Sequence, residues 1–162
     1  MKKTIFALST PESLSAIAII RISGPDTLNA LSLLCRCNLS SFKKKRTLTL
    51  KKIYSFDNAL LDEALVVSFE ENKSFTNEQM AELHIHGSII VIKTVMETLG
   101  KMPFLRQAFP GEFTQRALEN NKLNFTQVEG LSDLLQAETE YQQKQALDTY
   151  TGKTNKKITK WK

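Results

Sequence analysis

The sequence lacks any long apolar segment. Its longest unbroken apolar stretch, residues 16–20, ends at Arg21, far short of the roughly 20 residues that a membrane-spanning helix needs. The run at residues 4–8 is too short for the apolar region of a signal peptide and is soon interrupted by Pro11. We therefore expect a cytoplasmic protein without membrane contacts.

Cysteine and histidine are also scarce. The two cysteines, Cys35 and Cys37, stand one residue apart, a spacing that suits neither an ordinary structural disulfide nor a zinc half-site. The two histidines, His84 and His86, would share one face of a strand, but no third ligand stands at an obvious spacing. We expect free thiols, no metal site, and packing or hydrogen-bonding roles for both histidines.

The composition is that of a folded domain with basic extensions. With 162 residues, of which 41% are hydrophobic, the chain can bury one core and begin a further element. The net charge of +5 is concentrated at residues 43–46 and in the tail after Tyr150. Such clusters attract nucleic-acid phosphates, but they are equally typical of a solvated loop and a flexible terminus.

Hydrophobic periodicity predicts an α/β (α+β) fold with a mixed sheet and packed helices. Strands are expected at residues 4–8, 16–22, 46–54, 64–69, 81–86 and 105–109, and helices at 24–38, 89–99 and 113–118. Capping-box spacing at Thr76 and Gln79 predicts a short helical turn, and the same spacing at Thr126 and Glu129 predicts the start of one long helix. Glu112 and Arg116 have the spacing of a helical surface pair.

Three sequence blocks, read together and in this order, are similar to the bacterial tRNA modification GTPases of the TrmE family. The blocks are spread across nearly the whole chain: AIIRISGP at 18–25, SFTNEQMAELHIHG at 74–87, and PGEFTQRA at 110–117 followed by NKLNFTQVE at 121–129. The chain departs from the usual family pattern in having no glycine-rich loop at residues 11–13. It also departs at five single positions where the family usually has Gly, Asp, Gly, Arg and Asp: Asn77, Gln79, Ser88, Phe109 and Asn124.

The resemblance implies an aminomethyltransferase-like, folate-binding and dimerisation domain at residues 1–120. It implies the start of a truncated helical domain with a basic tail at 121–162. The implied ligand is a tetrahydrofolate one-carbon derivative, 5,10-methylene or 5-formyl, contacted by Arg21, Glu82 and Lys122. The implied function is carboxymethylaminomethyl modification of the wobble uridine, U34, of tRNA, with a homodimer, a flavin-dependent partner protein and tRNA as partners. No catalytic residue is assigned.

Pterin chemistry agrees with this assignment, because a carboxylate accepts a pterin's amino group and ring N–H together. By sequence alone, however, Glu82 is an exposed strand residue, Arg21 is as easily an ion pair closing a strand, and Lys122 is an ordinary surface lysine. The rival interpretation is a noncatalytic remnant, or a dimerisation or interaction domain without folate binding. A stand-alone aminomethyltransferase would need a second half that this length does not hold.

Nucleotide binding is not expected of this chain alone. Gly152, Lys153 and Thr154 imitate the end of a phosphate-binding loop, but Leu147 stands where that motif requires glycine. GTP and potassium would belong to the full-length family protein only, and the GTPase domain is expected to be absent here.

Overall fold

The computed structural model describes residues 3–42 and 46–152, and six strands among them form one sheet. The strands are β1 (Thr4–Leu8), β2 (Ile17–Ser23), β3 (Thr49–Tyr54), β4 (Leu60–Phe69), β5 (Met80–His86) and β6 (Leu105–Gln107), in the order β3-β4-β5-β2-β1-β6. Neighbours are antiparallel except β6, which runs parallel to β1. The predicted α+β class with a mixed sheet is confirmed.

Two helices, α1 (Thr27–Cys35) and α2 (Ile89–Gly100), cover one face of this sheet. Alternate residues of the central strands point into this layer, and Ile20, Leu83 and Ile85 are almost fully buried there. The helices contribute apolar side chains to the same cluster. Because successive side chains of a strand point to opposite faces, the residues between these core positions lie on what we call the second face, which carries Arg21, Glu82 and His84.

Contacts divide the chain into two compact units, with the division between Phe113 and Thr114. The division falls within α3 (Glu112–Glu119), and the second unit also contains α4 (Phe125–Gln136) and α5 (Glu140–Tyr150). The helices α4 and α5 form a closely packed hairpin, in which a Cβ on Gly130 would lie 2.6 Å from the backbone nitrogen of Tyr150. The domain boundary expected after residue 120 remains a prediction.

Several sequence predictions about local structure are wrong. Residues 74–78 form bends rather than a helical turn, and the hydroxyl of Thr76 is buried against that of Ser23 at 2.7 Å. The loop predicted at 57–63 is a tighter turn, since β4 already begins at Leu60. Neither Glu112 nor Arg116 is a surface residue, because both are buried.

The predicted long helix is two helices. Its start is capped by Asn124 with Gln127, not by Thr126 with Glu129, and a second capping box of Thr139 with Gln142 begins α5. Within the described ranges no helix is both long and apolar enough to span a membrane. Residues 43–45 of the first basic cluster, and the tail from Lys153 onward, lie outside the described residues.

Candidate functional site

The pairing of β2 with β5 brings two of the three predicted ligand contacts together. Arg21 is the direct cross-strand partner of Glu82, and its Nε donates a hydrogen bond to Glu82 Oε1 at 2.8 Å. The side chains are 37% and 15% exposed, respectively. The pair is therefore accessible from the second face, but it is shielded enough for its hydrogen bond to be stronger than one in open water.

His84 reaches the other oxygen of the same carboxylate. Its Nε2 lies 3.4 Å from Glu82 Oε2, at the long end of the hydrogen-bond range. The two residues are two positions apart on β5, so both side chains stand on the second face. Each oxygen of Glu82 thus has its own protein donor.

Apolar residues complete the surroundings of these three polar groups. Val67, the partner of Glu82 on β4, is 7% exposed, and Leu65, the partner of His84, is 40% exposed. On the other side Ile19 pairs with His84 and is half-buried. The carboxylate therefore has donors on β2 and β5 and an apolar wall on β4.

A second carboxylate–imidazole pair closes the end of β5. Asp62 accepts hydrogen bonds from the backbone N–H of His86 at 2.8 Å and from its ring Nδ1 at 2.6 Å. The Asp62 side chain is only 8% exposed, whereas that of His86 is 70% exposed. The two histidines thus serve different carboxylates.

Lys122, the third predicted contact, belongs to the second unit and is exposed. Its backbone N–H donates to Ala117 O at 2.8 Å, in a turn where Asn121 has a left-handed φ of 56°. The side chain borders a surface cavity of about 390 Å³, at whose edge Phe125 is 76% exposed. This volume lies within the range of small-molecule sites.

Three of the residues that differ from the family pattern have clear local roles, and two of them suit the backbone conformation at their positions. Asn77 has φ of 60°, and asparagine is one of the few residues besides glycine that adopts this conformation readily. Asn124 caps α4 as an aspartate would. Phe109 is 70% exposed and lies under the guanidinium of Arg106, 5.0 Å from the ring centroid.

Sequence reasoning missed two polar clusters near these positions. Glu112 binds Arg106 through both of its oxygens and also accepts the backbone N–H of Phe109 at 2.9 Å. This hydrogen bonding raises the pKa of Arg106. At the end of β2, Ser23 donates to Glu78 Oε2 at 3.0 Å and anchors the 74–79 loop. Neither cluster has a sequence signal, because each joins residues whose proximity depends on tertiary structure.

Metal ligation has no support in the part of the chain that the structure describes. No group of three or more His, Cys, Asp or Glu side chains there is arranged to hold an ion. The chemistry available on the second face is instead hydrogen bonding and ion pairing through Arg21, Glu82 and His84.

Comparison with known proteins identifies a family and several relatives. The family described as GTP-binding protein TrmE N-terminus matches residues 4–122. The protein named tRNA modification GTPase MnmE from Dinoroseobacter shibae is 43% identical over 159 residues, covering 98% of this chain and 36% of the relative. Its namesake from Ehrlichia chaffeensis is 43% identical over 159 residues, covering 98% of this chain and 35% of the relative. That from Pelagibacter ubique is 42% identical, covering 96% of this chain and 34% of the relative.

The chain spans about a third of the length of these curated relatives. The family match nevertheless extends over most of it, across the whole sheet and beyond α3. The chain therefore belongs to the TrmE N-terminal family.

Proposed function

We propose that this chain binds a tetrahydrofolate one-carbon derivative as the N-terminal module of a tRNA modification GTPase. The protein would take part in carboxymethylaminomethyl modification of U34 in tRNA, in the cytoplasm. The names of these relatives, tRNA modification GTPases, support the tRNA-modifying context. The observation that carries the folate assignment is the Arg21–Glu82 pair on the second face.

Glu82 has the chemistry to receive the pterin edge. An ionised carboxylate has about four acceptor sites, and Arg21 and His84 take one on each oxygen. One site on each oxygen therefore stays available for the adjacent amino and N–H donors of a pterin. The apolar Val67 and Leu65 alongside would shield those hydrogen bonds from water.

Arg21 has the complementary chemistry. Its hydrogen bond to Glu82 uses Nε, and its two terminal nitrogens donate to no other group in the described residues. Those nitrogens are suited to a carbonyl or carboxylate oxygen of the ligand. The same guanidinium would thus orient Glu82 and bind the ligand.

Lys122 is proposed separately as a contact for a ligand carbonyl or carboxylate. Its exposed ammonium beside a cavity of about 390 Å³ supports this role. Lys122→Ala should weaken folate binding without affecting the Arg21–Glu82 pair.

We further propose that the module works as a homodimer, with a flavin-dependent partner protein and tRNA. GTP and potassium would act on the GTPase domain of the full-length family protein. When bound, the folate would supply the one-carbon unit for the modification. The residues named here would hold and orient it.

The test is isothermal titration of the full chain with 5-formyltetrahydrofolate. Charge-assisted hydrogen bonds contribute about 1.5–3 kcal/mol each, so Glu82→Ala should weaken binding by about one to two decades. Glu82→Gln should bind nearly as poorly, because it turns one acceptor oxygen into a donor that faces a donor. Glu63→Gln is the matched control, since Glu63 is an exposed strand glutamate whose ion pair with Lys52 is long, at 3.8 Å.

Wild-type binding that is lost in both Glu82 variants and kept in the control would support the proposal. Absence of heat from a wild-type protein with a normal circular dichroism spectrum would overturn it. An interaction domain without folate binding would then be the better interpretation.

A further inference from the structure

We propose that His84 is a positioning residue for Glu82, one that fixes the plane of the carboxylate which receives the pterin. This inference rests on the proposed folate-binding function. It gives the general packing or hydrogen-bonding role expected of His84 a specific partner and a specific effect on the ligand site.

The geometry supplies the first argument. Within the described ranges Glu82 accepts hydrogen bonds from two side chains, Arg21 on Oε1 at 2.8 Å and His84 on Oε2 at 3.4 Å. The terminal torsion of a glutamate is broad and has no sharp rotamer wells. One donor would therefore leave the carboxylate free to rotate about that contact, whereas donors on both oxygens restrict it to one plane.

The second argument concerns what surrounds His84. Its cross-strand neighbours, Leu65 on β4 and Ile19 on β2, are apolar. The next polar group along the face, His86, is bound to Asp62 instead. Glu82 is thus the polar group that the His84 ring contacts, and the ring is 24% exposed, so it is partly shielded from competing water.

The contact also fixes the histidine's tautomer. Because a carboxylate only accepts, Nε2 of a neutral His84 must carry the proton, and Nδ1 is then unprotonated. A donor at this position does not block the ligand, since Oε2 keeps a further acceptor site. His84 would thus pre-organise the site without occupying it.

Two substitutions separate this role from simple packing. His84→Leu keeps an apolar body of similar reach but removes the donor, whereas His84→Gln keeps an N–H that can reach Glu82. Losing the restraint on one side chain should weaken 5-formyltetrahydrofolate binding by about three- to tenfold in His84→Leu. His84→Gln should bind within about twofold of wild type, because the donor is restored.

His86→Gln is the matched control, since it changes the same residue type on the same strand and face. Its carboxylate partner is Asp62. Folate affinity should be unchanged in this variant. Because the chain has only these two histidines, the two Gln variants also assign both imidazole signals in NMR spectra.

A ligand-free measurement tests the contact itself. In ¹⁵N-correlated imidazole spectra of the free wild-type chain above pH 8, His84 should show the Nε2–H tautomer. Glu82→Leu should shift His84 towards a mixture of tautomers and leave the His86 signals in place. A purely steric role for His84 would give no such response.

The outcomes distinguish this inference from the proposed function. The positioning role would be overturned if His84→Leu bound the folate as tightly as the wild-type chain does. It would also be overturned if His84→Gln bound as weakly as His84→Leu. Either result would leave the proposed folate binding intact. A His84 tautomer unaffected by Glu82→Leu would also overturn it. If the folded wild-type chain gives no heat with the folate, the proposed function fails, and the positioning role fails with it.

Discussion

Cys35 and Cys37 are close in sequence but differ in accessibility. Cys35 is 7% exposed in the core cluster, whereas Cys37 is only partly buried. Burial, assisted by Cys37 and opposed by Lys51, raises the pKa of the Cys35 thiol to about 12. A raised thiol pKa keeps the group protonated, so at pH 8 only about one Cys35 in ten thousand would be the reactive thiolate.

We therefore expect iodoacetamide at pH 8 to alkylate Cys37 well before Cys35 in the native chain. Mass spectrometry of the proteolytic peptides would measure both rates. In denaturant the two rates should become similar, which controls for differences between the peptides. Equal labelling of the native protein would contradict the buried position of Cys35.

Single residues also explain why departures from the family pattern leave the fold intact. Asn77 stands where the family usually has glycine, and its φ of 60° is one that asparagine tolerates. Asn124 stands where the family usually has aspartate, and both are good N-caps. These substitutions are visible in the sequence, but their backbone roles depend on torsion angles that the sequence does not reveal.

At the scale of helices, the start of α4 gives a discriminating prediction. Asn124 accepts the backbone N–H of Gln127 at 2.9 Å, and the Gln127 side chain accepts that of Asn124 at 3.1 Å. Asn124→Ala should cost about 1 kcal/mol, a fall in Tm of about 2–4 °C. Thr126→Ala should change stability by less than about 0.5 kcal/mol, because Thr126 lies inside the helix.

Thermal unfolding followed by circular dichroism would compare the two variants with the wild-type chain. A larger loss in Thr126→Ala than in Asn124→Ala would show that the helix begins two residues later than described.

Hydrophobic runs predict the bounds of some elements but not of others. The sequence predicts β1 with its observed bounds and β5 and α2 within one residue, but it misses the starts of β3 and β4 by three and four residues. An apolar run marks the buried part of an element better than its exposed ends. Capping-box spacing is a weaker signal, because it also occurs where no helix begins, as at Thr76 and Thr126, whereas the box forms at Asn124 and Thr139. The buried contact of Thr76 with Ser23 is tertiary, so no local pattern excluded a helix there.

At the scale of the whole molecule, the candidate site depends on strand register. Arg21 and Glu82 are 61 residues apart in sequence and meet because β2 pairs with β5 in one particular register. The family resemblance identifies both residues, but neither it nor the histidine spacing shows the pairing of the strands or the contact of His84 with Glu82. A shift of one residue would move the side chains of one strand to the other face and separate the group.

The two units should differ in how readily they open. The large apolar cluster belongs to the sheet and its two helices. In contrast, α4 and α5 each bury one small residue among those described, Gly130 and Ala146 respectively. In this helical hairpin Leu135 and Tyr141 are 81% and 78% exposed. Local opening requires little free energy where few apolar contacts are broken. In hydrogen exchange followed by mass spectrometry, amides of α5 should therefore exchange at least tenfold faster than those of β2 and β5. Equal exchange rates in α5 and β5 would contradict this prediction. They would mean that α5 buries more apolar surface than the described structure shows.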